Sequence, residues 1–150
     1  MHISWNFLDK RKAAIEAIEA RPSMEFIIEH TPEDIQNVRN RMSLTTSPTY
    51  SGIPGSHNPK SGEDRMLSGI DEIDLLQERY RQACEYQDWF YPAWLQLSED
   101  DRYVLEVFFL SDEKDAVGSV SEHFCIERSS AYVKRKRAIE RLSTLLYGKS

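Results

Sequence analysis

Residues 43–64 read SLTTSPTYSGIPGSHNPKSGED, and 14 of the 22 are Ser, Thr, Gly or Pro. Such a stretch has little apolar surface to bury and repeatedly interrupts helical backbone, so it reads as a flexible linker or loop. It separates an N-terminal region, 1–42, from a longer C-terminal part. On both sides, apolar residues recur at helical spacing rather than in strict alternation. The expected fold class is therefore all-α: N-terminal helices, the Ser/Gly/Pro-rich loop, a long amphipathic helix with an aromatic hinge over 65–96, and a C-terminal group of helices over 97–150. A chain of 150 residues suits one compact domain or a small domain with an appendage.

Before the linker, Asp9 to Ala20 is rich in helix formers and places Ala14, Ile15 and Ile18 on one side. Thr31-Pro32-Glu33-Asp34 predicts a second helix start, with a capping hydroxyl, proline at the first helical position, and acids near the positive end of the dipole. Ile35, Val38 and Met42 follow as a narrow stripe. After the linker, Glu63 to Tyr91 predicts a long helix whose apolar face is Ile70, Ile73, Leu76, Tyr80, Ala83 and Cys84. That face can pack within the monomer or form a homodimer through residues 65–91. Pro92 is expected to end or kink the helix, because proline disfavours helix at the residue before it. The aromatic group Trp89, Phe90, Tyr91 and Trp94 reads as core, since no cation lies between Arg81 and Arg102 to hold a nucleic-acid strand there.

Charge is distributed unevenly. From Glu127 to Ser150 seven Lys/Arg face two Asp/Glu, whereas residues 1–126 carry 12 Lys/Arg and 23 Asp/Glu. An acidic chain that gathers its cations on one short helical segment presents a candidate polyanion-binding surface. Other chemistry has little support. Cys84 and Cys125 are isolated and read as reduced thiols, and His2, His30, His57 and His123 have no metal-ligand spacing, so no metal or cofactor is expected. Phosphate loops, nucleophile elbows and HExxH are missing, so no catalytic residue is assigned. No apolar run approaches the roughly 20 residues that span a bilayer, and the N-terminus lacks the pattern of a secretion signal, so a cytoplasmic protein without a membrane partner is expected.

From Leu97 onward the signals sharpen. Ser98 predicts a cap on a helix whose first turn holds Glu99, Asp100 and Asp101 and whose buried face is Val104, Leu105, Phe108 and Phe109. Ser111-Asp112-Glu113 marks a break. A short helix over about 116–124, a tight turn at Cys125-Ile126 and a last helix over about 128–147 complete the outline of a helix-turn-helix. In that motif the final helix enters the DNA major groove. Ala131, Ala138 and Leu142 are expected to face inward. Arg128, Ser129, Ser130, Val133, Lys134, Lys136, Arg137 and Arg141 are the candidate DNA-binding residues. Arg128, Ser129, Ser130, Lys134 and Arg137 suit base edges or phosphates, and Lys136 and Arg141 suit phosphates.

At Leu97, Ser98, Arg102, Val104, Leu105, Val120, Ser121, Phe124, Ile126, Ser129, Ser130, Ala131, Arg137, Ala138, Ile139 and Leu142 the chain resembles the sigma-70 region 4 type of helix-turn-helix, with no gap from Val120 to Leu142. The whole chain also resembles small phage and prophage transcriptional regulators of the ArpU/RinA kind. It shares their S-P…S-G-I-P-G middle, W-F-x-P-A-W segment, E-R-S-S-A-Y turn and L-L-Y-G-K end. The resemblance implies a regulator that binds double-stranded promoter DNA and switches on phage genes, often late ones, with RNA polymerase as a further partner. Two neighbouring readings are a minimal sigma factor and a helix-turn-helix recognition subunit of a DNA-packaging machine. The pattern departs at three positions. Cys125 stands where it has glycine, so the turn needs another route to its backbone angles. Glu127 replaces the capping serine. Arg135 occupies an apolar position, where its stem is expected to cover the core while its charge reaches solvent.

Overall fold

The computed structural model describes residues 8–46 and 59–149, and every regular element among them is helical. Two long helices come first, α1 (Lys10–Thr46) and α2 (Pro59–Gln96), followed by α3 (Glu99–Leu105), a π-helical turn (Glu106–Leu110), α4 (Ala116–Phe124) and α5 (Arg128–Tyr147). None of these helices is long and apolar enough to cross a membrane.

The sequence predicts two helices before the linker, but α1 is a single helix of 37 residues that passes through Pro22 and Pro32. Thr31-Pro32 is thus not a helix start. α2 likewise continues past Pro92 to Gln96. An interior proline forfeits one hydrogen bond and crowds the carbonyl four residues back, at a cost of about 3 kcal/mol. Packing on both sides of Pro92 offsets this. Phe90, Ala93 and Trp94 are buried, and each large apolar side chain removed from water contributes roughly 1.5–3 kcal/mol. The linker is also shorter than its composition suggests, because α1 takes in residues 43–46 and α2 takes in 59–64. Residues 47–58, with the S-P…S-G-I-P-G segment, lie outside the described residues.

The chain forms two compact units that do not follow the sequential division at 42, 64 and 96. One comprises Met1–Ser23 with Tyr86–Ser150, and the other Met24–Glu85. The first holds the core: Ala14, Ala17 and Ile18 from α1, Phe90, Ala93, Trp94 and Leu97 from the end of α2, Val104 and Leu105 from α3, Val117 and Val120 from α4, and Ala131, Ala138, Ile139, Leu142 and Leu146 from α5. Phe90 stacks between Tyr86 and Trp94 at centroid distances of 5.2 and 5.6 Å. The Arg21 guanidinium lies over the rings of Tyr91 and Trp94. Phe90 and Trp94 are therefore core, while Trp89 stays more exposed and packs on Tyr147 at 5.5 Å.

The second unit is an antiparallel helix pair with little interior. Among its described residues Thr31, Val38, Gly69 and Ala83 are buried. A Cβ on Gly69 would come within 2.7 Å of the Met42 side chain, so glycine sets how closely the two helices approach. Arg41 clamps Glu72 through both carboxylate oxygens, at 3.1 and 3.2 Å. Of the stripe predicted on α2, Ala83 is buried, Ile73, Leu76 and Cys84 are half-buried, and Ile70 and Tyr80 are exposed.

Candidate nucleic-acid interface

The cationic helix is positioned from α3 upward. Ser98 caps α3 as expected, its Oγ accepting the Asp101 N–H at 3.2 Å, with Glu99, Asp100 and Asp101 in the first turn. Val104 and Leu105 are buried, but Phe108 and Phe109 are only half-buried, because the helix widens into the π turn at Glu106. Its last bond runs from the Ser111 N–H to the Glu106 carbonyl, five residues back, at 2.9 Å.

α4 is capped by Asp115, whose Oδ1 accepts the Gly118 N–H at 3.0 Å. The carboxylate sits so close that a Cβ at residue 118 would lie 2.2 Å from Oδ2, so a larger residue there would push the carboxylate off its capping position. α4 ends in a Schellman motif. The Cys125 N–H donates to the Glu122 carbonyl at 3.3 Å and the Ile126 N–H to the Ser121 carbonyl at 3.0 Å. Ser121 Oγ also donates to the Ile126 carbonyl. Cys125 takes φ 52° and ψ 49°, the left-handed conformation that glycine adopts without cost. The turn therefore keeps the glycine geometry with a cysteine in it, rather than finding another route.

Three residues separate α4 from α5. Glu127 offers no side-chain cap; its carbonyl alone accepts the Ala131 N–H at 3.1 Å. Ala131, Ala138, Ile139, Leu142, Ser143 and Leu146 are buried and bind α5 to the core. By helical spacing Ser129, Ser130, Val133 and Arg137 line the opposite side, and all four are exposed, as is Lys136 beside them. Val133, 46% exposed, is an apolar patch within this polar face, and Tyr132, 48% exposed, lies at its edge.

The remaining cations are engaged. Arg128 forms a two-pronged bridge to Asp115, both N–O distances being 3.1 Å. It ties the first residue of α5 to the cap of α4, and its guanidinium holds the Asp115 carboxyl below the usual carboxylate range, aided by the Gly118 N–H. Lys134 places its ammonium 4.3 Å from the Phe124 ring centroid. Arg141, expected to be free for phosphate, instead reaches both oxygens of Asp101 at 2.7 and 2.8 Å. The Asp101 side chain is 11% exposed, so Arg141 neutralises a nearly buried carboxylate. Arg135 is half-buried. Its guanidinium lies over the rings of Phe108 and Tyr132, at 5.1 and 5.2 Å.

The structure also gathers cations that sequence reasoning passed over. Lys10, Arg11 and Lys12 form the start of α1, and Arg11 Nη2 donates to Glu140 Oε1 of α5 at 2.6 Å. Three consecutive bases in an acidic chain were a visible signal; their neighbour in space was not. No protein-family model, curated protein or solved structure matches the chain.

Proposed function

We propose that the chain is a sequence-specific, double-stranded DNA-binding transcription regulator, a phage or prophage gene regulator whose α3–α5 region works as a sigma-70 region 4-like helix-turn-helix. The observation that carries this reading is the outward face of α5. It combines short hydroxyls, a methyl-bearing side chain and two cations, Lys136 and Arg137, that make no ion pair among the described residues. Serines bond phosphates or either base, an apolar side chain meets the thymine methyl, and arginine pairs with guanine edges. The helix bearing them is fixed by its buried face, by the Arg128–Asp115 bridge and by the Arg141–Asp101 bridge, so it meets a groove as a rigid body. In this reading Ser129, Ser130, Val133 and Arg137 read sequence and Lys136 holds phosphate. Lys134, Arg128 and Arg141 brace the motif and add positive potential.

A homodimer through α2 accompanies this proposal. Met66, Leu67, Ile70, Leu75 and Tyr80 are exposed on the part of α2 that belongs to the second unit. Native mass separates the alternatives: a monomer or dimer suits a regulator, whereas a closed ring of many copies suits a packaging subunit.

Binding selection on random duplex DNA provides the operator, and Arg137→Ala tests the face. Loss of a base-contacting arginine costs about 1–3 kcal/mol of specific binding and relaxes preference at one position. A folded Arg137→Ala protein that bound the selected site as tightly and as selectively as wild type would sink the assignment.

A further inference from the structure

The two flanks of α5 differ in charge. On one side Asp100 and Asp101 of α3 line a small groove with Lys134, Arg137 and Arg141. On the other, Arg11 and Ile15 of α1 line a groove with Tyr132, Val133 and Lys136. Arg11 is drawn in by Glu140, which lies one helical turn beyond Lys136 and Arg137. Lys10 is held beside it by a 3.1 Å hydrogen bond from its ammonium to the Lys149 carbonyl. Lys12, next in the chain, is exposed.

We infer that the first turn of α1 is a second phosphate-binding element, built from Lys10, Arg11 and Lys12 with Lys136, which grips the DNA backbone along one edge of α5. This rests on the DNA-binding reading above and adds to it which strand edge is held. Arg11 suits the task because a guanidinium has five donors and Glu140 occupies one of its terminal nitrogens. The Arg11–Glu140 pair is well exposed, 58% and 41%, so it contributes little to stability and a phosphate can replace the carboxylate at small cost. On the opposite edge Asp100 and the Arg141-paired Asp101 offset part of the positive charge of Lys134 and Arg137, so a phosphate strand is held less strongly there.

The test uses the full chain and its selected operator duplex, with affinity measured across a range of KCl concentrations. Lys10→Gln, Arg11→Gln and Lys12→Gln together should lower the slope of log K against log salt by roughly 2–3, since each lost phosphate contact removes about 0.9. Binding should weaken uniformly, with the ranking of operator variants unchanged. Lys12→Gln alone, whose side chain makes no ion pair among the described residues, should lower the slope by about 1 without touching the fold. Phosphate ethylation interference should lose its signal at one edge of the site in the triple variant. An unchanged slope in both variants overturns the inference, and the DNA-binding reading still stands if Arg137→Ala relaxes specificity. If Arg137→Ala is also silent, both fall.

Discussion

Cys125 is the described non-glycine residue with positive φ, and it sits where α4 hands over to α5. A side chain in the left-handed region costs roughly 1–2 kcal/mol, and glycine's extra freedom in the unfolded chain offsets about half of that. Cys125→Gly should therefore stabilise the protein by about 0.5–1 kcal/mol. Urea unfolding checks this, and a destabilised variant would show that the thiol, 3.8 Å from the Glu122 carbonyl, holds the turn better than geometry suggests. Arg135 and Arg141 give the same lesson about single residues. Both read as free cations by type, yet one spends its charge on aromatic faces and the other on Asp101. Which cation is free depends on neighbours that lie 27 and 40 positions away in the chain.

At the scale of elements, α4 and α5 are coupled at their N-termini. Asp115 caps one helix and receives the first residue of the other, and its carboxyl is held below the usual range chiefly by the Arg128 hydrogen bonds and then by the Gly118 N–H. A carboxyl lowered by folding stabilises the fold above its unfolded pKa, and that contribution disappears as pH falls through the folded value. The bridge should thus be intact at neutral pH and open only in acid, below the roughly 3.9 of a free aspartate. A carbon-13 titration of Asp115 should show this low midpoint, with the Gly118 amide following it, and Arg128→Ala should return it toward the ordinary value. A midpoint already ordinary in the wild type would mean that the bridge is absent in solution. The long helices teach the opposite lesson. Pro22, Pro32 and Pro92 are strong local stop signals, but α1 and α2 run through all three. A lost hydrogen bond at a proline is a fixed local penalty, and burial on either side can exceed it.

At the scale of the molecule, charge and core part company. The unit formed by Met1–Ser23 and Tyr86–Ser150 carries 13 Lys/Arg and 14 Asp/Glu, and Met24–Glu85 carries 6 and 11, so most of the negative balance belongs to the second unit. The buried apolar cluster lies wholly in the first unit. Local stability follows buried contacts, so native-state hydrogen exchange should find the slowest amides around Val104, Val120 and Leu142. Amides of 24–44 and 62–85 should open at lower free energy. Equal protection in both units would mean that the second is stabilised by something beyond its own interior, with a second copy as the first candidate to examine by native mass.

The sequence by itself determined the helical class, the cap at Ser98, and the limits of α4 and α5, because caps, tight turns and helical periodicity are encoded within a few residues. It also determined which face of α5 is buried, through Ala131, Ala138 and Leu142. The reach of α1 and α2 through their prolines, the two-unit division that joins 1–23 to 86–150, and the arrival of Lys10–Lys12 beside α5 were decided only by tertiary structure. So was the difference between a cation that is paired and one that is free. Local signals say what a segment prefers; burial and charge pairing between distant segments determine which preferences are overridden.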